Sequence, residues 1–141
     1  MYLDSAYVAK YYVNEPDSTR VRKLIESADS LISSAWSMAE VSCVFHRYLR
    51  QGDLSAKQFQ MLSREFRAHV DSELWTLVPV TASLIRRVTS LVATLPPAVF
   101  LRAGDAVQLV SALEAGEPDV WTNDRHMLAA APHFGLVGRS A

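Results

Sequence analysis

Four acidic residues, Asp4, Glu40, Asp105 and Asp124, carry the chemistry this sequence suggests. They stand 36, 65 and 19 residues apart, so no local motif unites them. Their places in the pattern do. Asp4 directly follows the short apolar segment Met1–Leu3, and Asp124 directly follows Val120–Thr122. Glu40 lies in the first turn of the helix after the apolar pair Leu31-Ile32. Asp105 opens a helix on a segment that must return to the same edge. In open parallel sheets functional groups collect at the carboxyl ends of strands, so the four converge on one predicted edge. Converging carboxylates repel, and each pKa rises unless a cation neutralises the group. Hard oxygen ligands of this kind suit Mg²⁺ or Mn²⁺, held with waters and substrate phosphate. Each acid also has a plainer reading. Asp4 is a turn residue, and Asp105 and Asp124 are helix N-terminal charges worth about 0.3–1 kcal/mol each. Glu40 is the partner of Ser37 in an S-x-x-E capping box. These readings explain the acids singly but not their common edge.

The elements that must position them are short apolar strands alternating with amphipathic helices. Ala6–Val13 reads as a helix, and Pro16 stands near the first turn of another running to about Ala28. After Leu31-Ile32 comes a helix with Val41, Val44, Phe45, Tyr48 and Leu49 at helical spacing, ended by Gly52-Asp53. Ser55 caps the next helix, which runs to about Glu73, and Leu74–Val80 is β-like. A helix follows Thr81, then a Pro96-Pro97 loop, then the helix with Ala106, Leu109, Val110 and Leu113 as its stripe. Val120–Thr122, a short helix over Asp124–Ala131, and Leu136-Val137 complete the pattern. The expectation is an α/β fold, a three-layer α/β/α sandwich with a short central parallel sheet flanked by helices.

Length and composition fit one domain over residues 1–141, large enough to fold without disulfides or structural metal. Fourteen Lys and Arg stand against fifteen Asp and Glu, so the net charge of −1 gives no crude argument for nucleic acid. Four of the fifteen acids are candidates for metal, however, and their neutralisation leaves a modestly positive protein. Lysine is absent after Lys57, and arginine, the better phosphate fork, supplies the remaining positives. A lone cysteine, Cys43, excludes a disulfide framework or thiolate zinc cage. No apolar run approaches a membrane span and no signal-like segment opens the chain, so a cytoplasmic location is expected.

Four blocks surround the acids in order. They are Y-L-D-S-A-Y-V-A-K-Y-Y-x-x-E-P-D-S from Tyr2, Glu40 to Arg47 (E-V-S-C-V-F-H-R), Leu101 to Leu113 (L-R-A-G-D-A-V-Q-L-V-S-A-L), and Trp121 to Ala131 (W-T-N-D-R-H-M-L-A-A-A). Together they resemble the PIN-domain ribonucleases, in particular the VapC-type toxins of bacterial toxin–antitoxin pairs. The resemblance implies that Asp4, Glu40, Asp105 and Asp124 bind one or two divalent metals. It further implies that Ser5, Thr122 and Asn123 support the acids or metal-bound water, and that Arg47 meets substrate phosphate or a partner's acid. The implied activity is metal-dependent RNA hydrolysis by an activated water, leaving a 5′-phosphate and a 3′-hydroxyl. The implied partners are RNA, a VapB-like antitoxin occupying the acid pocket, and a second copy in a homodimer. We expect the antitoxin to dock on the hairpin from Ser37 to Glu73. Three positions depart from the family pattern. Ala6 replaces a hydroxyl residue near Asp4, Gly104 stands where a larger residue is common and would loosen that helix start, and Gln108 stands where histidine is frequent.

Other conspicuous residues have packing explanations. Cys43 reads as mid-helix packing, and Trp36, Trp75 and Trp121 read as core. His46, His69, His126 and His133 show no metal-ligand spacing, although His126 lies close to Asp124. Two alternatives to the nuclease stand beside it. A non-catalytic metal- or RNA-binding module would carry the same acids. A phosphoryl-transfer α/β enzyme would need Asp-x-Asp at the first strand, a late strand-end lysine or a G-x-x-x-x-G-K-[ST] loop, and the chain has none of these.

Overall fold

The computed structural model describes residues 1–141. Five strands form one parallel sheet: β1 (Tyr2–Leu3), β2 (Ile32–Ser34), β3 (Thr76–Val78), β4 (Asp119–Trp121) and β5 (Val137–Arg139). Their order is β3-β2-β1-β4-β5. The chain therefore winds outward from β1 in one direction through β2 and β3, then crosses back to β4 on the other side. That reversal makes the crevice between β1 and β4 the topological switch point, where α/β sheets place their sites. Seven helices cover the sheet: α1 (Ser5–Tyr12), α2 (Ser18–Glu26), α3 (Ser37–Gln51), α4 (Ala56–Asp71), α5 (Ala82–Val92), α6 (Ala103–Glu114) and α7 (Arg125–Ala130). A 3-10 turn over Ala131–Phe134 leads into β5. None of the helices is long and apolar enough to cross a membrane.

The two residues of β1 show why the architecture is a sandwich. Successive side chains on a strand point to opposite faces. Tyr2 packs into a core with α5, α6, α7 and the 3-10 turn, around Leu84, Leu109, Val110 and Phe134. Leu3 packs into a second core with α1 to α4, around Val8, Val21, Phe45 and Phe66. Both residues are fully buried. A sheet covered on both faces is the expected three-layer α/β arrangement.

Every expected element is present, with boundaries shifted for identifiable reasons. The second strand extends over Ser33 and Ser34, polar residues that a hydrophobicity pattern passes over. Ser33 Oγ donates to the Leu3 carbonyl at 2.8 Å, and Ser111 Oγ donates to Ser34 Oγ at 3.0 Å, so both hydroxyls are satisfied in the core. The third strand stops at Val78 because Pro79 has no N–H for the ladder. Pro16 lies ahead of α2, whose N-cap is Asp17. Asp105 does not open α6 but is its third residue.

The expected capping box at Ser37 does not form. Trp36 holds the N-cap position without a side-chain cap, and Ser37 is the first helical residue. The Ser37 hydroxyl instead lies 2.7 Å from Ser33 Oγ and accepts from Gln108 Nε2 at 3.1 Å. Burial between β2 and α6 draws it away from the helix end. Glu40 is thereby released from the capping role that was its plainer explanation.

Candidate active site

The four acids meet. Asp4, Glu40, Asp105 and Asp124 line one cavity of about 400 Å³, together with Ser5, Arg47, Arg102 and Gln108. Asp4 follows β1 and Asp124 follows β4, so the β1–β4 pairing sets them side by side at the switch point. Helix α3 brings Glu40 over the edge in its first turn, and α6 brings Asp105. Asp4 is buried and the other three are half-buried.

Three of the carboxylates are aimed by close donors. Asp4 N-caps α1, with one oxygen accepting from the Tyr7 N–H at 2.8 Å and the other from the Thr122 hydroxyl. Asp124 N-caps α7 through one oxygen, which accepts from the His126 and Met127 N–H groups at 2.7 and 3.1 Å. Its other oxygen is 3.8 Å from the Arg102 guanidinium. Capping and ligation are therefore compatible, because each carboxylate oxygen carries two lone pairs. Glu40 Oε2 accepts from the Ser5 hydroxyl and from Gln108 Nε2, the latter at 2.9 Å.

Gln108 is the hub under the pocket. Its amide nitrogen is within 2.8–3.1 Å of Ser5 Oγ, Glu40 Oε2 and Ser37 Oγ. Its carbonyl accepts from Tyr2 OH at 2.7 Å. One buried side chain of α6 thus fixes groups from β1, α1 and α3. Unlike the histidine frequent here in the resembling family, an amide holds this network with no change of charge near neutral pH.

Two of the four carboxylates are harder to ionise than usual. Burial pushes the Asp4 carboxyl up to about 6, against the opposing effect of its Thr122 and Tyr7 hydrogen bonds. Asp105 is also raised, first by burial and then by the charge of Asp124. The four side chains do not close into a cluster ready to wrap an ion. Their oxygens accept instead from hydroxyl, side-chain amide and backbone N–H donors, with the Arg102 guanidinium 3.8 Å from Asp124. A donor set of carboxylate oxygens around one cavity fits a hard divalent ion such as Mg²⁺ or Mn²⁺.

The supporting residues divide. Ser5 touches Glu40 and Thr122 touches Asp4. Asn123 turns elsewhere, accepting from Tyr7 OH at 2.7 Å and donating to Asp17. Arg47 lines the cavity and lies 3.8 Å from Glu15. Arg102 was given no role by sequence reasoning, although the L-R-x-x-D block places it one turn before Asp105. Trp36 and Cys43 correct two expectations. Trp36 is exposed, because as N-cap it stands outside the helix face that packs on the core, and Cys43 points to solvent from α3. Trp75 is buried, and Trp121 packs half-buried against the α1–α4 core.

Gly104 leaves space beside the pocket. A Cβ there would sit 2.8 Å from Glu40 Oε1 and 3.2 Å from Trp36 Nε1. The missing side chain makes room for both groups at the mouth of the pocket.

Comparison with known proteins bears on the family and the fold. No curated protein matches the sequence significantly. The crystal structure of VapC20 of Mycobacterium tuberculosis, a sarcin-ricin loop cleaving toxin, has a similar fold, with a TM-score of 0.68. The alignment covers 92% of this chain and 93% of that one at 14% identity. The family model for the PIN domain matches residues 1–132, a span that includes all four acids and bears out the resemblance seen in the sequence blocks. The chain belongs to the PIN-domain family.

Proposed function

We propose that this PIN-domain protein is a divalent-metal-dependent endoribonuclease and the toxin of a toxin–antitoxin pair. The observation that carries the reading is the gathering of Asp4, Glu40, Asp105 and Asp124 around one cavity, with Asp4 buried and its carboxyl pushed up to about 6. A divalent cation held by these four residues supplies Lewis acidity toward a phosphodiester and lowers the pKa of water. The chain's own groups do the rest. Thr122 and the Tyr7 N–H orient Asp4, while Ser5 and Gln108 orient Glu40. Arg47 and Arg102 line the cavity as phosphate-binding forks.

The family likeness supports an antitoxin as partner, a homodimer and a cytoplasmic setting. The face for the antitoxin is the α3–α4 hairpin, where exposed Met38 lines a cavity with partly buried Phe59 and Val70. Because VapC20 cleaves the sarcin-ricin loop, a ribosomal RNA stem–loop is the first substrate to try.

Titration of Mg²⁺ and Mn²⁺ against RNA cleavage tests the reading. Wild type cleaves only with metal. Asp4→Asn folds normally, binds Mn²⁺ weakly by calorimetry, and cleaves more than about 100-fold more slowly, a larger loss than an outer-sphere change produces. Equal, metal-independent activity in the two proteins would sink the mechanism. Metal binding without cleavage of any RNA would leave a non-catalytic module.

A further inference from the structure

Two exposed aromatic side chains stand beside different acids of the pocket. Trp36 is 42% exposed, one turn before Glu40, with its indole nitrogen against Gly104 and hence beside Asp105. Phe100 is 54% exposed, two residues before Arg102. Its ring centroid lies 4.6 Å from that of His126, which follows Asp124 by two residues. The Arg102 guanidinium lies 5.7 Å from the Phe100 ring and 3.8 Å from Asp124. Nothing in the fold requires large apolar surface at these two places, since neither residue belongs to a core.

From this juxtaposition we propose that Trp36 and the Phe100–His126 pair are nucleobase platforms for single-stranded RNA, one beside Glu40 and one beside Asp124. The proposal rests on the ribonuclease reading of the pocket and adds how the strand is gripped. Its warrant is chemical. A phosphate at the acids leaves the flanking bases within reach of the rim, and every base has a face that stacks on an aromatic ring. Arg102 contributes its planar cation at the phosphate between them. Gly104 is part of the same device, because a side chain there would meet the Trp36 indole. Such platforms grip sequence-tolerantly, so they favour unpaired loops over paired stems without choosing bases by hydrogen bonding.

The experiment measures binding of a short mixed-sequence single-stranded RNA to the full chain by fluorescence anisotropy. Asp105→Asn serves as the common background to prevent cleavage. Trp36→Ala and Phe100→Ala each weaken binding by about 5- to 150-fold, the range of one lost base stack. Trp36→Phe stays within about threefold of the parent. The slope of log Kd against log salt is unchanged, because stacking releases no counterions. Parent-like affinity in both alanine variants would overturn the proposal, as would a shallower salt slope or a Trp36→Phe as weak as Trp36→Ala. Loss of affinity only for a co-expressed protein partner would assign the rim to protein docking and equally overturn it. The ribonuclease reading fails separately, if wild type with its four acids intact cuts no RNA at any Mg²⁺ or Mn²⁺ concentration.

Discussion

At the scale of single residues, Gly104 and Glu40 are the pair whose interplay sets the pocket. Ala is more favourable than Gly inside a helix by up to about 1 kcal/mol, so Gly104→Ala gains helix stability. The new Cβ meets the far end of the flexible Glu40 side chain, which yields by rotating. The variant is therefore expected to keep or raise its thermal midpoint while cleaving RNA at least about tenfold more slowly. A midpoint unchanged together with full activity would show that Glu40 has slack the geometry does not suggest. Asp4, Glu40, Asp105 and Asp124 were legible in the sequence, because strand ends and helix starts can be read from apolar runs and all four fall there. Arg102 and Gln108 were not assigned roles, since a side chain's work in a network depends on partners distant in sequence. Gln108 meets Tyr2, Ser5 and Glu40 across separations of 106, 103 and 68 residues. Trp36 misled because hydrophobic residues are ordinarily placed inside.

At the scale of elements, helix ends show where sequence chemistry decides and where packing overrides it. Gly52 ends α3 in the left-handed region with φ 84°, as its residue type foretells. Ser55 caps α4 with the reciprocal Gln58 bonds, yet the equally suggestive Ser37–Glu40 pair forms no box because the hydroxyl is buried elsewhere. The hairpin then closes on Glu73, the one non-glycine residue with positive φ, at 59°. An L-residue there loses roughly 1–2 kcal/mol, which glycine recovers less its own chain entropy. Glu73→Gly should raise stability by about 0.5–1 kcal/mol in urea unfolding. A decrease would mean that the exposed carboxylate holds a contact the backbone term does not outweigh. The same hairpin carries the antitoxin prediction. Hydrogen exchange with and without co-expressed antitoxin should slow amides within Ser37–Asp71, and protection confined to the other side of the sheet would place the partner elsewhere.

At the scale of the whole molecule, a polar chain joins segments far apart. Lys10, buried on α1, donates to Asp17 at 2.5 Å, and Asn123 donates to the same carboxylate. Asn123 accepts from Tyr7 OH, which in turn accepts from the Ala141 N–H at 2.8 Å. The Lys10 hydrogen bond is the main reason that Asp17 sits below the ordinary aspartate value of 3.8. A depressed carboxylate stabilises the fold above its unfolded pKa and ceases to do so as pH falls through the folded value. Asp17→Asn should therefore lower the urea midpoint at neutral pH and flatten its fall below about pH 4. Curves that ran parallel to wild type would show that the network contributes nothing at acid pH.

The pairing of β1 with β4 has one further consequence, for synthesis. Tyr2 and Leu3 wait for Val120 and Trp121 before the central pair of the sheet exists. During synthesis Asp4 is made long before the fourth acid, Asp124. Long-range pairings of this kind form late. Until β4 is made, the chain therefore lacks both the central strand pair and the fourth acid of the pocket.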